Sequence, residues 1–126
     1  MSKGIPVKVK ELVLARDNHN CQLGLPGCLG RATEADHRAN RGMGGSEVLN
    51  GPECLIAACG LCNGAKEDAT GGMLEHLIDR GVRVLKAATN AKTRERCEMT
   101  PVAYLDGRVC QLRTDGTLKN LELVAS

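Results

Sequence analysis

The stretch Cys21-Gln-Leu-Gly-Leu-Pro-Gly-Cys28, answered downstream by Cys59-Gly-Leu-Cys62-Asn63-Gly-Ala-Lys66, decides how this chain folds. Two cysteine pairs, each with its members close in sequence, can place four thiolates around one tetrahedral zinc ion. The second pair has the two-residue gap of a zinc knuckle. The first holds six residues, among them Gly24, Pro26 and Gly27, which suit a wider turn. The competing readings are buried free thiols or two disulfides; the paired spacing favours zinc. Four thiolates close the coordination shell, so the expected metal is structural, and any catalytic ion must sit elsewhere.

Working outward, Thr33 to His37 reads as the extended part of a short strand over 31–38, and Glu53 to Ala58 as a second, apolar strand. Between them Arg38 to Pro52 carries Gly42, Gly44, Gly45 and Gly51 and reads as an omega-like loop. Cys59 to about Asp68 then forms a helix begun at the second knuckle. Upstream, Val9, Leu12 and Val13 have helical spacing, and a helix is expected from about residue 7 to 17, ended by Asp17-Asn18. Val7 and Val9 alternating with lysines also fit a short strand. Lys8, Lys10 and Arg16 are expected on its solvated face.

Downstream, Gly71-Gly72 breaks the chain, and Met73, Leu74, Leu77 and Ile78 predict a helix stopped at Arg80-Gly81. Val82 to Leu85 alternates like a strand, and polar residues 86–98 read as a linker or exposed loop. Strands are expected over Thr100–Leu105, Arg108–Arg113 and Thr117–Val124, joined at the hairpin signals Asp106-Gly107 and Asp115-Gly116. The fold class is therefore α+β. One domain spanning 1–126 is expected, with a zinc-bound core over 19–68 and a helical and β-strand extension over 69–126.

Of the 126 residues 42% are apolar, yet Phe and Trp are absent and Tyr104 is the only aromatic, so Leu, Val, Ile and Ala must build the core. A zinc staple suits such a core. Seven cysteines, an odd number, fit a closed disulfide framework poorly, and no signal peptide or long apolar run is visible. A cytoplasmic home and no membrane partner are the simpler expectation. The net charge of +2 does not argue nucleic-acid binding by itself.

The succession of Cys21, Cys28, Ala32-Thr33-Glu34-Ala35-Asp36-His37, Gly44-Gly45, Leu55 and Ala58-Cys59-Gly60-Leu61-Cys62-Asn63 with Lys66 resembles an HNH endonuclease of the small zinc-bound type frequent in bacteriophage genomes. The resemblance covers roughly residues 19 to 68 and implies a ββα-metal core. It implies double-stranded DNA as substrate and ends with 5′-phosphate and 3′-hydroxyl. The residue matching His37 would be the general base, and those matching Asp36 and Asn63 would hold one catalytic ion. A phage source, a host cytoplasmic location and a packaging-machinery partner belong to the same implication, while pairing of two chains as a homodimer is left open by the sequence.

Elementary chemistry agrees with those roles. Phosphodiester hydrolysis needs an activated water and a cation to neutralise the phosphate and leaving oxygen. A histidine with an ordinary pKa near ~6.5 can take the water's proton at neutral pH. Asp36 and Asn63 offer hard oxygens suited to Mg²⁺ or Mn²⁺. The bland alternative makes Asn63 a cap of the helix beginning there.

The family's middle Asn is expected just before Leu55, where this chain has Cys54, a poor hydrogen-bonding group. Either Asn50 takes over the loop-holding role, or the enzyme is slow or inactive. Arg38, Arg41 and the glycine run suit a phosphate backbone, and Lys66, one helical turn beyond Asn63, could steady the scissile phosphate. His19 and His76 lack metal-like spacing, and Cys97 and Cys110 read as packing residues. The rival functional readings are a zinc-stabilised DNA-binding module without activity and a zinc-held protein-interaction domain.

Overall fold

A computed structural model describes residues 4–40 and 47–121. Helix α1 runs Val7–Arg16, strand β1 Glu34–His37 and strand β2 Leu55–Ala58, with 3₁₀ turns at Glu47–Asn50 and Pro52–Cys54 leading into β2. Helix α2 (Gly60–Glu67) follows β2 after the single residue Cys59. Helices α3 (Gly71–Asp79) and α4 (Asn90–Met99) precede a second sheet of β3 (Val102–Ala103), β4 (Val109–Leu112) and β5 (Leu118–Asn120). The protein is thus α+β, with β1 and β2 antiparallel and β3-β4-β5 an antiparallel meander.

In the first sheet Asp36 pairs with Ile56 and His37 with Leu55. All four residues of β2 are buried, as its apolar composition requires, with α1 packed against both strands and α2 against β1. The meander turns at Gly107 and Gly116, both at positive φ, as the two Asp-Gly pairs predict.

The main core joins Cys21, Leu23, Leu25, Ile56, Ala58, Cys59 and Cys62 to Leu77, Val82, Val102, Tyr104, Cys110 and Leu112. A second cluster holds Ala39, Leu49, Cys54, Val84 and Cys97. Cys97 and Cys110 therefore do pack. Among the described residues no helix is long and apolar enough to cross a membrane.

The structure corrects several expectations. Residues 86–98 are no linker: Thr89 Oγ1 accepts from Lys92 N at 3.1 Å and caps helix α4, which buries Thr93 and Cys97. That helix has almost no apolar periodicity, so hydrophobic spacing could not reveal it. Val82–Leu85 is not a strand. It is held by single bonds, Val84 N to Arg38 O at 2.8 Å and the amides of Val82 and Arg83 to Leu77 O.

Arg16 is not solvated but buried, bonded to the Asp17 carboxylate and to the carbonyls of Pro52 and Leu55. Asp17 in turn accepts from Ala57 N at 3.0 Å and from the Tyr104 hydroxyl at 2.5 Å, tying α1 to β2 and to the second sheet. The expected strand over 117–124 is β5 as far as Asn120, and residues 122–126 lie outside those described.

Candidate functional site

The Sγ atoms of Cys21, Cys28, Cys59 and Cys62 all lie within 4.8 Å of one another, so these four residues can hold a structural metal such as zinc. A tetrahedron with ~2.3 Å metal–sulfur bonds needs sulfurs about 3.8 Å apart, which this spacing fits. Glycines at positive φ shape the first turn: Gly27 lets Cys28 N reach Leu25 O at 2.9 Å, and Gly24 and Gly30 bend the chain on either side. The second pair is built by the start of α2, where Cys59 Sγ accepts from Cys62 N at 3.4 Å.

Main-chain amides converge on the sulfurs. Leu29 N approaches Cys59 Sγ at 3.5 Å and Gly30 N approaches Cys28 Sγ at 3.3 Å. Burial works against a Cys59 thiolate, but the amides of Leu29 and Cys62 and the thiols of Cys62 and Cys21 outweigh it and bring its pKa down to about 6. Cys21 and Cys62 move up, chiefly through burial. Without a cation, one ionised sulfur suppresses ionisation of its neighbours. A bound dication supplies the compensation that four thiolates at this separation require.

A separate cavity of about 280 Å³ is lined by Ala35, Asp36, His37, Asn40, Asn63, Glu67 and Arg83. Its lining is dominated by polar groups. Asp36 and His37 reach it from the end of β1, and Asn63 and Glu67 from successive turns of α2. Asn63 is fixed by its place after Cys62, its amide bonded to Cys59 O at 2.9 Å. The structure thus brings together Asp36, His37 and Asn63.

His37 Nε2 lies 2.8 Å from Asn50 Oδ1. An amide oxygen only accepts, so Nε2 is the donor of this pair. Asn50 Nδ2 donates to Gly4 O at 3.4 Å, which fixes the sense of the amide. Asn50 therefore contacts the histidine, and Cys54 does not take that position. Cys54 is buried: its shared hydrogen bond with Cys97, then burial, raises its pKa and keeps the thiol protonated.

Two basic residues expected at a phosphate have other work. Arg38 is 0% exposed. Its guanidinium donates to the carbonyls of Gly81 (2.8 Å), Glu53 (2.7 Å), Cys97 (2.8 Å) and Thr100 (2.7 Å). It therefore cannot meet a nucleic-acid backbone and instead ties β1 to the C-terminal end of α4, where the helix dipole favours a cation. Lys66 is also buried, donating to Asp36 Oδ2 at 2.6 Å and His37 O at 2.7 Å. Burial raises Asp36 and lowers Lys66, each opposed by the other's charge. Arg41 lies outside the described residues.

Three lining residues escaped the sequence reading: Asn40, Glu67 and Arg83. Glu67 had a usable signal, standing four residues after Asn63 on one face of α2. Arg83 had none, because the turn after α3 carries it to the cavity. Comparison with protein-family models, curated proteins and solved structures gives no match to this chain.

Proposed function

We propose that this chain is a divalent-metal-dependent endonuclease of the HNH type that hydrolyses phosphodiester bonds in double-stranded DNA. The observation that carries the reading is the convergence of Asp36, His37 and Asn63 on one polar cavity, with Asn50 bonded to His37 Nε2. The order β1, β2, α2, with cysteines at the strand-to-helix junction, is what a ββα-metal core would have.

In this reading His37 takes a proton from water while Asn50 holds the ring through Nε2. The oxygen donors Asp36 and Asn63, with Glu67 beside them, fit a Mg²⁺ or Mn²⁺ ion. Such an ion, when bound, neutralises charge on the phosphate and leaving oxygen. Lys66 holds Asp36 and the His37 carbonyl together, so both side chains keep their aim. The four-cysteine zinc serves the scaffold by fixing the start of α2 and hence Asn63.

One observation favours the rival, an inactive zinc-stabilised DNA-binding module: Asp36 already has a cationic partner in Lys66. A plasmid-nicking assay on zinc-loaded wild type and His37→Ala, with Mg²⁺ or Mn²⁺ and a gel-shift control, separates the two. Conversion of supercoiled DNA by the wild type alone supports the nuclease. A shift by both proteins without conversion sinks it in favour of the module, and neither shift nor conversion points to protein interaction.

A further inference from the structure

The cations in and behind the cavity spend their donors unequally. Arg38 spends four of its five donors on carbonyls, and Lys66 is committed to Asp36 and the His37 carbonyl. Arg83 lines the cavity with Asp36, His37 and Asn63, and its Nε is shut off from solvent without a hydrogen-bond partner among the described residues. A buried donor left unmade costs about 1–3 kcal/mol, and native structures rarely keep one without cause.

The main chain on both sides of Arg83 is pinned. Its own amide reaches Leu77 O at 3.2 Å, and the next amide, Val84 N, reaches Arg38 O at 2.8 Å. Gly81, at φ +77°, turns tightly against the Pro101 carbonyl. Arg83 therefore lines the cavity from a fixed backbone, and a turn of the side chain about that backbone brings Nε to an anion entering the cavity. It lies close enough to Lys66 for the two positive charges to repel, a repulsion that an anion in the cavity relieves.

We propose that Arg83 is the phosphate-binding residue of this cavity, gripping two oxygens of a substrate phosphodiester with Nε and one Nη. A planar fork with an unspent Nε–H matches phosphate bidentately, which an ammonium cannot do. The inference rests on the nuclease reading for the identity of the substrate; the chemistry it needs is that of a phosphate group.

The test follows the Arg83 Nε–Hε resonance in ¹⁵N-labelled, zinc-loaded full-length protein, assigned by its loss in Arg83→Lys. Inorganic phosphate is titrated with and without Mg²⁺, and a short DNA duplex is titrated on the His37→Ala background so that it stays intact. The expected result is a saturable shift of this resonance, with Arg83→Lys cleaving plasmid roughly 10²-fold more slowly at an unchanged melting temperature. A shift with phosphate in a protein that cuts no DNA keeps the phosphate site and ends the nuclease reading. A silent Arg83 resonance with both ligands, or wild-type cleavage by Arg83→Lys, overturns the proposal while leaving the nuclease intact.

Discussion

Lys66 Nζ lies 2.6 Å from Asp36 Oδ2, and both side chains are almost wholly withdrawn from water. Removing one partner of such a pair strands the other charge, at a cost of about 3–5 kcal/mol. Lys66→Met is expected to lose that much in urea denaturation at neutral pH, and adding Asp36→Asn to recover part of it. The pH dependence has a definite sign. Burial already raises Asp36, and without Lys66 its folded-state pKa rises further above the unfolded value of ~3.9. The stabilising protonation is complete only below the unfolded value and is lost as pH rises through the folded one. The deficit of Lys66→Met should therefore shrink on acidification; a deficit that grows would contradict a stranded carboxylate.

Arg38 offers a prediction in which charge is preserved and geometry lost. Arg38→Lys keeps a cation but cannot serve four carbonyls spread over Gly81, Glu53, Cys97 and Thr100. Several buried oxygens lose their donors, and a loss of at least about 3 kcal/mol is expected in chemical denaturation. A near-wild-type midpoint would show that these bonds are dispensable.

The four-cysteine site should hold one metal ion per chain in elemental analysis, and Cys62→Ser should lose it. Structural zinc contributes on the order of 10 kcal/mol to folding, comparable with the whole stability of a domain. Chelation should therefore collapse the circular dichroism of the folded protein. Protons compete with metal for thiolates, so ligation by the four cysteines makes retention depend on pH. Metal should be retained at pH 8 and released on acidification; release independent of pH would exclude thiolate ligation.

Gly81→Ala is expected to be among the most damaging small substitutions. At φ +77° a side chain is strained, and its Cβ would run into the Pro101 carbonyl oxygen. A loss of about 2 kcal/mol or more is expected in thermal melting. Gly64→Ala, in α2 with open space around the added methyl, serves as the control and should be neutral or stabilising.

The parts of this fold legible in the sequence are those whose physics is local. Cysteine spacing, Asp-Gly turns and Gly81 after α3 each act within a few residues, and each appears where expected. That Asp36, His37 and Asn63 share one cavity was legible for another reason: short strands and a helix started at Cys59 leave them little freedom. The misreadings are nonlocal. Nothing near Arg38 announces that four carbonyls from three distant segments will surround it, and an arginine in a glycine-rich stretch reads as surface. Helix α4 buries one face through Thr93 and Cys97, too little apolar pattern to notice. Arg83 reaches the cavity only because the chain after α3 crosses the end of β1.

The hydrogen bond from Tyr104 to Asp17 has a consequence for how the protein is made. It spans 87 residues, and the core around the cysteines is completed only by Leu112. During vectorial synthesis the segment bearing both cysteine pairs leaves the ribosome well before the strands that cover it. A nascent chain stopped after α2 would present Leu23, Leu25 and Ile56 without their partners and Asp17 without its phenol. The half that carries the cysteine pairs is thus not completed by its own residues: late-emerging ones finish the part that was translated first.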